Sequence, residues 1–208
     1  MKHTLPTIRA LISSITVVFL MGCDPAPVHL SCSLGEENFL NDSDFSKEAE
    51  SGRSKHWTGI QHAGEKSFKV SFEGPIAVIE KIGSQPWFLY RQRLRTDQFS
   101  SLKMAFTAEI NLSSDEKAMS GNEDGLAGLR LAAIGSSGKP IMRAENRLSE
   151  GSERNEWHTV QVIMQVPKAT KSLQASIFHE SVGTLRVRNP SLRLVEGTTE
   201  DCPLSPAL

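Results

Sequence analysis

Four neighbouring side chains, Trp87, Tyr90, Arg91 and Arg93, have the chemistry of a ligand-binding surface. An aromatic ring can stack on the apolar face of another ring, and a guanidinium binds a carboxylate through two parallel hydrogen bonds. Because side chains alternate along a strand, Arg91 and Arg93 share one face while Tyr90 lies on the other. The two arginines therefore either line a cleft for an acidic or hydroxylated ligand or form a solvated outer face.

Motifs for catalysis are incomplete. His179 and Glu180 lack the second histidine of H-E-x-x-H, and neither G-x-S-x-G nor a nucleotide-binding glycine loop occurs. The run from Arg143 to Arg147 is similar to the R-x-E-x-R strand of jelly-roll polysaccharide lyases, but the Q-x-H motif and the tyrosine-rich strand of those enzymes are missing. The sequence predicts a non-enzymatic protein without a cofactor, and lyase activity is the remaining alternative.

The first residues have the features of an export signal. Lys2 and Arg9 make a positive start, and no acidic residue precedes Asp24. The apolar run over residues 10–21 is shorter than the about 20 residues that a spanning helix needs. An exported chain is therefore expected.

The apolar run ends in Leu-Met-Gly-Cys at residues 20–23, which resembles the bacterial lipobox, L-x-G-C. The resemblance implies cleavage after Gly22 and a diacylglyceryl group on the Cys23 thiol, so membrane lipid becomes a partner through Cys23. The alternative is an ordinary secretory signal. Asp24 resembles the residue that keeps lipoproteins of enteric bacteria at the inner membrane, which implies the periplasmic face of that membrane; the outer membrane is the alternative.

Two cysteines remain after Cys23, namely Cys32 and Cys202. Exported proteins meet an oxidising compartment, where an even number of cysteines favours disulfide pairing. We therefore predict a Cys32–Cys202 bridge that brings the two ends of the domain together. Two free thiols are the alternative.

Alternation of apolar and polar residues, rather than a helical period, predicts the elements. The clearest run covers residues 102–112, and a similar run covers residues 160–166. Apolar pairs also flank Pro190, at Leu185 and Val187 on one side and at Leu192 and Leu194 on the other. Further strands are predicted over residues 67–72, 76–82, 88–95, 126–134, 141–145 and 173–179. Many short strands separated by Gly, Pro and Ser turns indicate a single all-β sandwich or jelly roll.

Composition limits the function classes. The 208-residue chain has 23 Lys and Arg against 24 Asp and Glu, a formal charge of −1, which argues against a nucleic-acid partner. With 38% hydrophobic residues it is too polar for a multi-span membrane protein.

Four segments, taken in order, resemble the galactose-binding-like jelly rolls that include carbohydrate-binding modules. They are Asn41 to Phe45 with Trp57 and Gly59, then residues 88–94 with a central glutamine, then Trp157 followed by Val166-Pro167, and finally residues 183–192. The resemblance implies a jelly-roll fold and a carbohydrate ligand. It also implies that Trp57 and Trp157 pack in the core, which leaves Trp87 to stack on a sugar ring.

The resemblance fails at the structural calcium site of many relatives. Arg188 and Asn189 stand where the closing strand of those relatives carries an acid, and a guanidinium disfavours a neighbouring cation. We therefore predict no metal ion, although Asp44 and Asn189 could supply oxygens. A polar stretch over residues 113–125 is predicted to be a solvated acidic loop rather than a calcium loop; its acids are Asp115, Glu116, Glu123 and Asp124.

The expected organisation is a lipoprotein signal peptide over residues 1–22, a lipidated cysteine with a short tether over 23–33, a galactose-binding-like sandwich over 34–202, and a C-terminal tail over 203–208. The expected function is a lipid-anchored cell-envelope protein that binds a glycan or another envelope ligand. The alternative is a structural or assembly protein that binds another envelope protein.

Overall fold

The fold is a sandwich of two antiparallel β-sheets. A computed structural model of the chain describes residues 32–47, 55–95, 98–113, 127–148, 155–196 and 202–206. The described residues hold eleven strands: β1 (Ser33–Leu34), β2 (Thr58–Gln61), β3 (Phe68–Glu73), β4 (Ile76–Lys81), β5 (Phe88–Leu94), β6 (Lys103–Ser113), β7 (Ala127–Ile134), β8 (Pro140–Arg147), β9 (His158–Gln165), β10 (Ser172–His179) and β11 (Thr184–Glu196).

The six-stranded sheet has the order β3-β4-β11-β6-β9, and β1 pairs with the far end of β11. The five-stranded sheet has the order β2-β5-β10-β7-β8. Their facing sides enclose one large apolar core, as the alternation of β6 requires, because Met104, Phe106 and Ile110 point inward and are fully buried. The predicted all-β jelly-roll class is confirmed.

The strands predicted from alternation are present, with ends that differ by at most two residues. Pro190 does not separate two strands, because β11 continues past it through a bulge between Arg188 and Ser191. Asn189 has a positive φ of 53° there, and Pro190 needs no partner for an N–H. The sequence did not predict β1 and β2, which are short and lack a clear alternation.

Asn38 fills the gap that the bulge opens. Its side-chain amide donates to the Pro190 carbonyl at 3.3 Å and accepts from the Leu192 N–H at 3.0 Å. The Phe39 N–H also donates to the Leu192 carbonyl. The N-terminal segment therefore continues along β11 beyond the two residues of β1.

Gln92 and Trp57 hydrogen-bond to the same segment, and Trp57 Nε1 does so by donating to the Asp42 carbonyl at 3.3 Å. Gln92, which is buried on β5, accepts from the Asn41 N–H at 2.7 Å and donates to the Asn41 carbonyl at 2.8 Å. Trp57 is fully buried, as predicted, and its ring stacks on Tyr90 at 5.5 Å. A side chain at Gly59 would place its Cβ 2.6 Å from the ring of Phe88, so a larger residue would have to displace that buried ring.

Cys32 and Cys202 form the predicted disulfide, with Cα atoms 5.3 Å apart, within the usual range for a disulfide. Cys202 is completely buried and packs with Ala105, Ile163 and Val195 on the outer face of the six-stranded sheet. Two hydrogen bonds between Ser205 and Ile163 then tie the chain after Cys202 to β9.

Several predictions fall outside the described residues: the leader, Cys23, Asp24, and the acidic loop after Ser113 with its four acids. Within the described ranges, no helix has the length and hydropathy needed to cross a membrane.

Candidate functional site: an arginine groove on the five-stranded sheet

A groove of about 440 Å³ crosses the outer face of the five-stranded sheet. We call it the arginine groove. Its lining residues come from β2, β5, β7, β8 and β10 and from adjoining turns: Ile60, Trp87, Leu89, Arg91, Arg93, Arg130, Ala132, Ile134, Gly138, Pro140, Arg143, Gln174 and Glu180.

Strand register explains why these side chains meet. Arg93 on β5 lies opposite Gln174, Gln174 lies opposite Ala132 on β7, and Ala132 lies opposite Arg143 on β8. Directly opposed residues in antiparallel strands project from the same face of the sheet. Two arginines therefore stand on either side of a low floor made by Gln174 and Ala132, both of which are buried.

The polar groups of the floor position the two arginines of β5. Arg91 Nη1 donates to Gln174 Oε1 at 2.8 Å, and Gln174 Nε2 donates to Ser176 Oγ at 3.1 Å. Arg93 Nε donates to Ser172 Oγ at 2.8 Å. Since Gln174 and Ser172 are uncharged, these hydrogen bonds orient both guanidinium groups without neutralising them.

On the β7–β8 side, one carboxylate holds two arginines. Glu145, only 5% exposed, pairs with Arg130 at 2.7 Å and with Arg147 at 2.6 Å. Burial disfavours its charged form, but hydrogen bonds from Arg147 and Arg130 outweigh burial and lower the pKa of Glu145. Both guanidinium groups also lie over the ring of the buried Phe178, at 5.3 and 5.5 Å. Glu145 is therefore an ionised group that orients arginines.

The remaining arginines of the groove carry uncompensated charge. None of the acids in the described residues forms an ion pair with Arg91, Arg93 or Arg143. Burial and the neighbouring charge of Arg93 lower the pKa of Arg91, which still leaves it protonated at neutral pH. Glu180, the acid in the lining, lies 3.8 Å from Arg147.

The end of the groove near β2 is apolar. Trp87, Leu89 and Ile60 line it, and the His62 ring meets the Trp87 ring edge-on at 6.3 Å. Trp87 is partly exposed, so its ring can support a flat apolar surface of a ligand. The groove therefore combines an aromatic platform at one end with hydrogen-bond donors along its length.

The structure brings together three of the four side chains that the sequence suggested as ligand-binding. Trp87, Arg91 and Arg93 line the arginine groove, which favours the cleft over a plain solvated face. Tyr90 requires a correction: it points into the core, is 2% exposed and packs against Phe45 and Trp57. Alternation along β5 places it on the opposite side of the sheet from Arg91.

Three contributors to the groove were not predicted to lie in it: Arg130, Gln174 and Arg143, the last of which was noted only as part of the R-x-E-x-R run. Each lies on a strand that was predicted, with its side chain at an outward position. Alternation predicts which face of the sheet a side chain lies on, but it does not predict which strands pair with each other. The available signal was an arginine on an otherwise apolar strand, as Arg130 is on β7.

Arg188 and Asn189 on the closing strand β11 both bind the carboxylate of Glu109. Arg188 donates to Glu109 Oε2 through Nε at 2.8 Å and Nη2 at 2.6 Å, and Asn189 donates to Glu109 Oε1 at 2.7 Å. Arg188 also lies 4.1 Å from the ring centre of Trp157, which is half-buried and therefore does not pack in the core as expected. No cluster of His, Cys, Asp or Glu in the part of the chain that the structure describes could hold a metal ion.

Comparison with known proteins identifies the fold. No protein-family model matches the sequence, and no curated protein matches it. The enzymatically active domain of bacteriophage CBA120 tailspike protein 4 superposes with a TM-score of 0.58 at 11% identity, over 76% of this chain and 21% of that one. A family 4 carbohydrate-binding module superposes with a TM-score of 0.52 at 12% identity, over 74% of this chain and 99% of that one.

The chain therefore has the β-sandwich fold seen in a carbohydrate-binding module. It spans nearly the whole length of that module but only about a fifth of the tailspike domain. At these identities the likeness shows the fold, and the function has to be argued from the arginine groove.

Proposed function

We propose that this protein is a non-enzymatic, lipid-anchored protein of a bacterial cell envelope that binds a glycan in the arginine groove. The observation that carries the proposal is the pairing of the partly exposed Trp87 with a row of guanidinium donors in one groove. Sugar rings present the matching chemistry, because they have an apolar face and a hydroxylated edge. The fold shared with a carbohydrate-binding module supports it.

Two features favour binding over catalysis. Glu145, the central acid of the R-x-E-x-R run, is held by Arg130 and Arg147 and is unsuited to accept a proton. Tyr90, the only tyrosine of the chain, lies on the core side of the sheet from the groove. The groove therefore has no tyrosine that could act as the proton donor of a lyase.

Replacement of the aromatic platform tests glycan binding. Trp87→Ala is expected to weaken the affinity for a bound glycan about tenfold, because the stacking surface is lost. A glycan array with the purified full chain in non-ionic detergent identifies a ligand, and calorimetry measures the affinity of each variant.

The control is Trp157→Ala, which removes a tryptophan that packs against Arg188, away from the groove. Its glycan affinity should equal that of the wild-type chain. If no glycan binds while an envelope protein co-purifies, the proposal is wrong and the assembly alternative takes its place.

The lipid anchor is proposed from the L-M-G-C run at residues 20–23. Cys23→Ser should abolish labelling by a radioactive or clickable fatty acid and leave an unprocessed precursor, because the acceptor thiol is gone. Cys32→Ser is the matched control: it removes a different cysteine, one that is bonded to Cys202 in the folded domain, and should keep the label. Continued labelling of Cys23→Ser would exclude the anchor.

The proposed location is the periplasmic face of the inner membrane, on the basis of Asp24. Residues 24–31 can extend at most about 30 Å, so the sandwich would stay near the bilayer. Density separation of the same labelled membranes should place the protein in the inner-membrane fraction. Recovery in the outer-membrane fraction, unchanged by Asp24→Ser, would contradict this location.

A further inference from the structure

The charge of the arginine groove differs from that of the whole chain. The chain is nearly neutral, at −1, whereas four arginines and one glutamate line the groove. A concentration of one sign in a concave site raises the local electrostatic potential and attracts ligands of the opposite sign. A neutral glycan would derive no benefit from this arrangement.

Three of those arginines retain the capacity to bind an anion. Arg91 and Arg93 each use part of the guanidinium to bond a neutral floor group, and the groove-lining Arg143 has no ion-pair partner in the described residues. Guanidinium groups that are already oriented lose little conformational freedom on binding. The two arginines of β5 also repel each other, which an anion between them would relieve.

The spacing of these arginines favours an extended ligand over a single small anion. Arg91 and Arg93 are two residues apart on β5, roughly 7 Å along the strand. Arg93 and Arg143 stand in one row across β5, β10, β7 and β8, which is three strand spacings or roughly 14 Å. A ligand that reaches all three must repeat its negative groups along its length.

We propose that the groove selects polysaccharides with carboxylate groups on the sugar rings, such as polyuronates. This inference rests on the glycan-binding function proposed above. A carboxylate fixed to a ring carbon is held rigidly at the ring edge, so a chain of rings that starts on Trp87 would present carboxylates to the guanidinium groups further along the groove. The planar fork of arginine matches a carboxylate through two hydrogen bonds.

The test compares two polymers that differ only in whether their carboxyl groups are ionised or methyl-esterified. Polygalacturonate and its fully methyl-esterified form share one backbone, but the ester lacks the carboxylate charge. The full chain in non-ionic detergent should bind polygalacturonate at least about tenfold more tightly than the ester, as measured by calorimetry. Its affinity should also fall as NaCl is raised from about 50 to 500 mM, because salt screens exposed charges.

Variants locate the effect. Arg93→Gln combined with Arg143→Gln should weaken polygalacturonate binding at least about tenfold. Arg186→Gln is the matched control, because Arg186 lies on the other sheet and pairs with Glu73; its affinity should stay at the wild-type value. Circular dichroism and thermal unfolding establish that each variant is folded.

The outcomes separate the two proposals. Equal or tighter binding of the esterified polymer would overturn the carboxylate inference and leave glycan binding intact. Tighter binding of dextran sulfate than of polygalacturonate would also overturn it, since the groove would then select sulfate. Failure of every glycan to bind would overturn the inference and the proposed function together.

Discussion

Reduction of the Cys32–Cys202 disulfide is expected to lower the free energy of unfolding by up to about 5 kcal/mol. The bridge joins residues 170 positions apart, so it restricts almost the whole unfolded domain. In the chain-entropy model, a longer closed loop gives a larger destabilisation of the unfolded state. The unfolded chain should also expose more surface once it is reduced, so the urea m-value should rise.

Urea unfolding of the chain with and without a phosphine reductant measures this effect. Cys32→Ser is the matched variant, because Cys32 is the less buried of the two cysteines. It should unfold at the midpoint of the reduced wild-type chain and should not respond to reductant. Identical midpoints for the oxidised and reduced wild-type chains would contradict the prediction, as would free alkylation of both cysteines in the folded, unreduced protein.

The second large effect is a loss of stability in mild acid that depends on His179. This side chain is completely buried at the end of β10, and burial lowers its pKa from 6.5 to about 4. Its Nδ1 accepts a hydrogen bond from the Ser181 backbone nitrogen at 3.4 Å. Its Nε2 lies 3.2 Å from the Gly183 carbonyl oxygen. A proton added to Nδ1 would point at a donor, so the neutral ring is favoured.

The sign of the effect follows from proton binding. Between pH 6.5 and about 4, the unfolded chain binds a proton at this histidine and the folded chain does not. The contribution of neutral His179 to the free energy of unfolding is therefore full above pH 6.5. It decreases as the pH falls and stops changing below about pH 4. The total loss is about 3 kcal/mol.

Chemical denaturation across this pH range checks the prediction. His179→Gln should have a flatter stability profile between pH 6.5 and 4, whatever its stability at neutral pH. His62→Gln, which removes an exposed histidine, should keep the wild-type profile. If the profile of His179→Gln keeps the wild-type slope, the buried histidine is not responsible.

The fold could be predicted from the sequence because most strands have one apolar face. β6 is the clearest case, since five alternating side chains from Met104 to Leu112 all point into the core. β2 could not be predicted, because Thr58–Gln61 is short, half-exposed and contains Gly59. It is a strand because of its pairing with β5.

The site could be predicted only in part, because strand pairing again depends on contacts that are distant in sequence. Trp87, Arg91 and Arg93 are close in sequence, so local reasoning brought them together. Arg143 comes from β8, which reaches the groove only through the order of strands in the sheet. The floor of the groove was hidden for the same reason, because all eight residues of β10 are buried, including those on its outer face. Neighbouring arginines cover its outer face, including the ring of Phe178.

The disulfide between Cys32 and Cys202 determines how the sandwich would respond to a mechanical pull on the residues before Cys32. A two-residue strand such as β1 would peel from β11 one hydrogen bond at a time. Because Cys32 precedes β1, the Cys32–Cys202 bond bears the pull before β1 does. It passes part of the pull to the residues after Cys202, which Ser205 attaches to β9. The pull is thus divided between both edges of the six-stranded sheet, and the five-stranded sheet with its groove carries none of it directly.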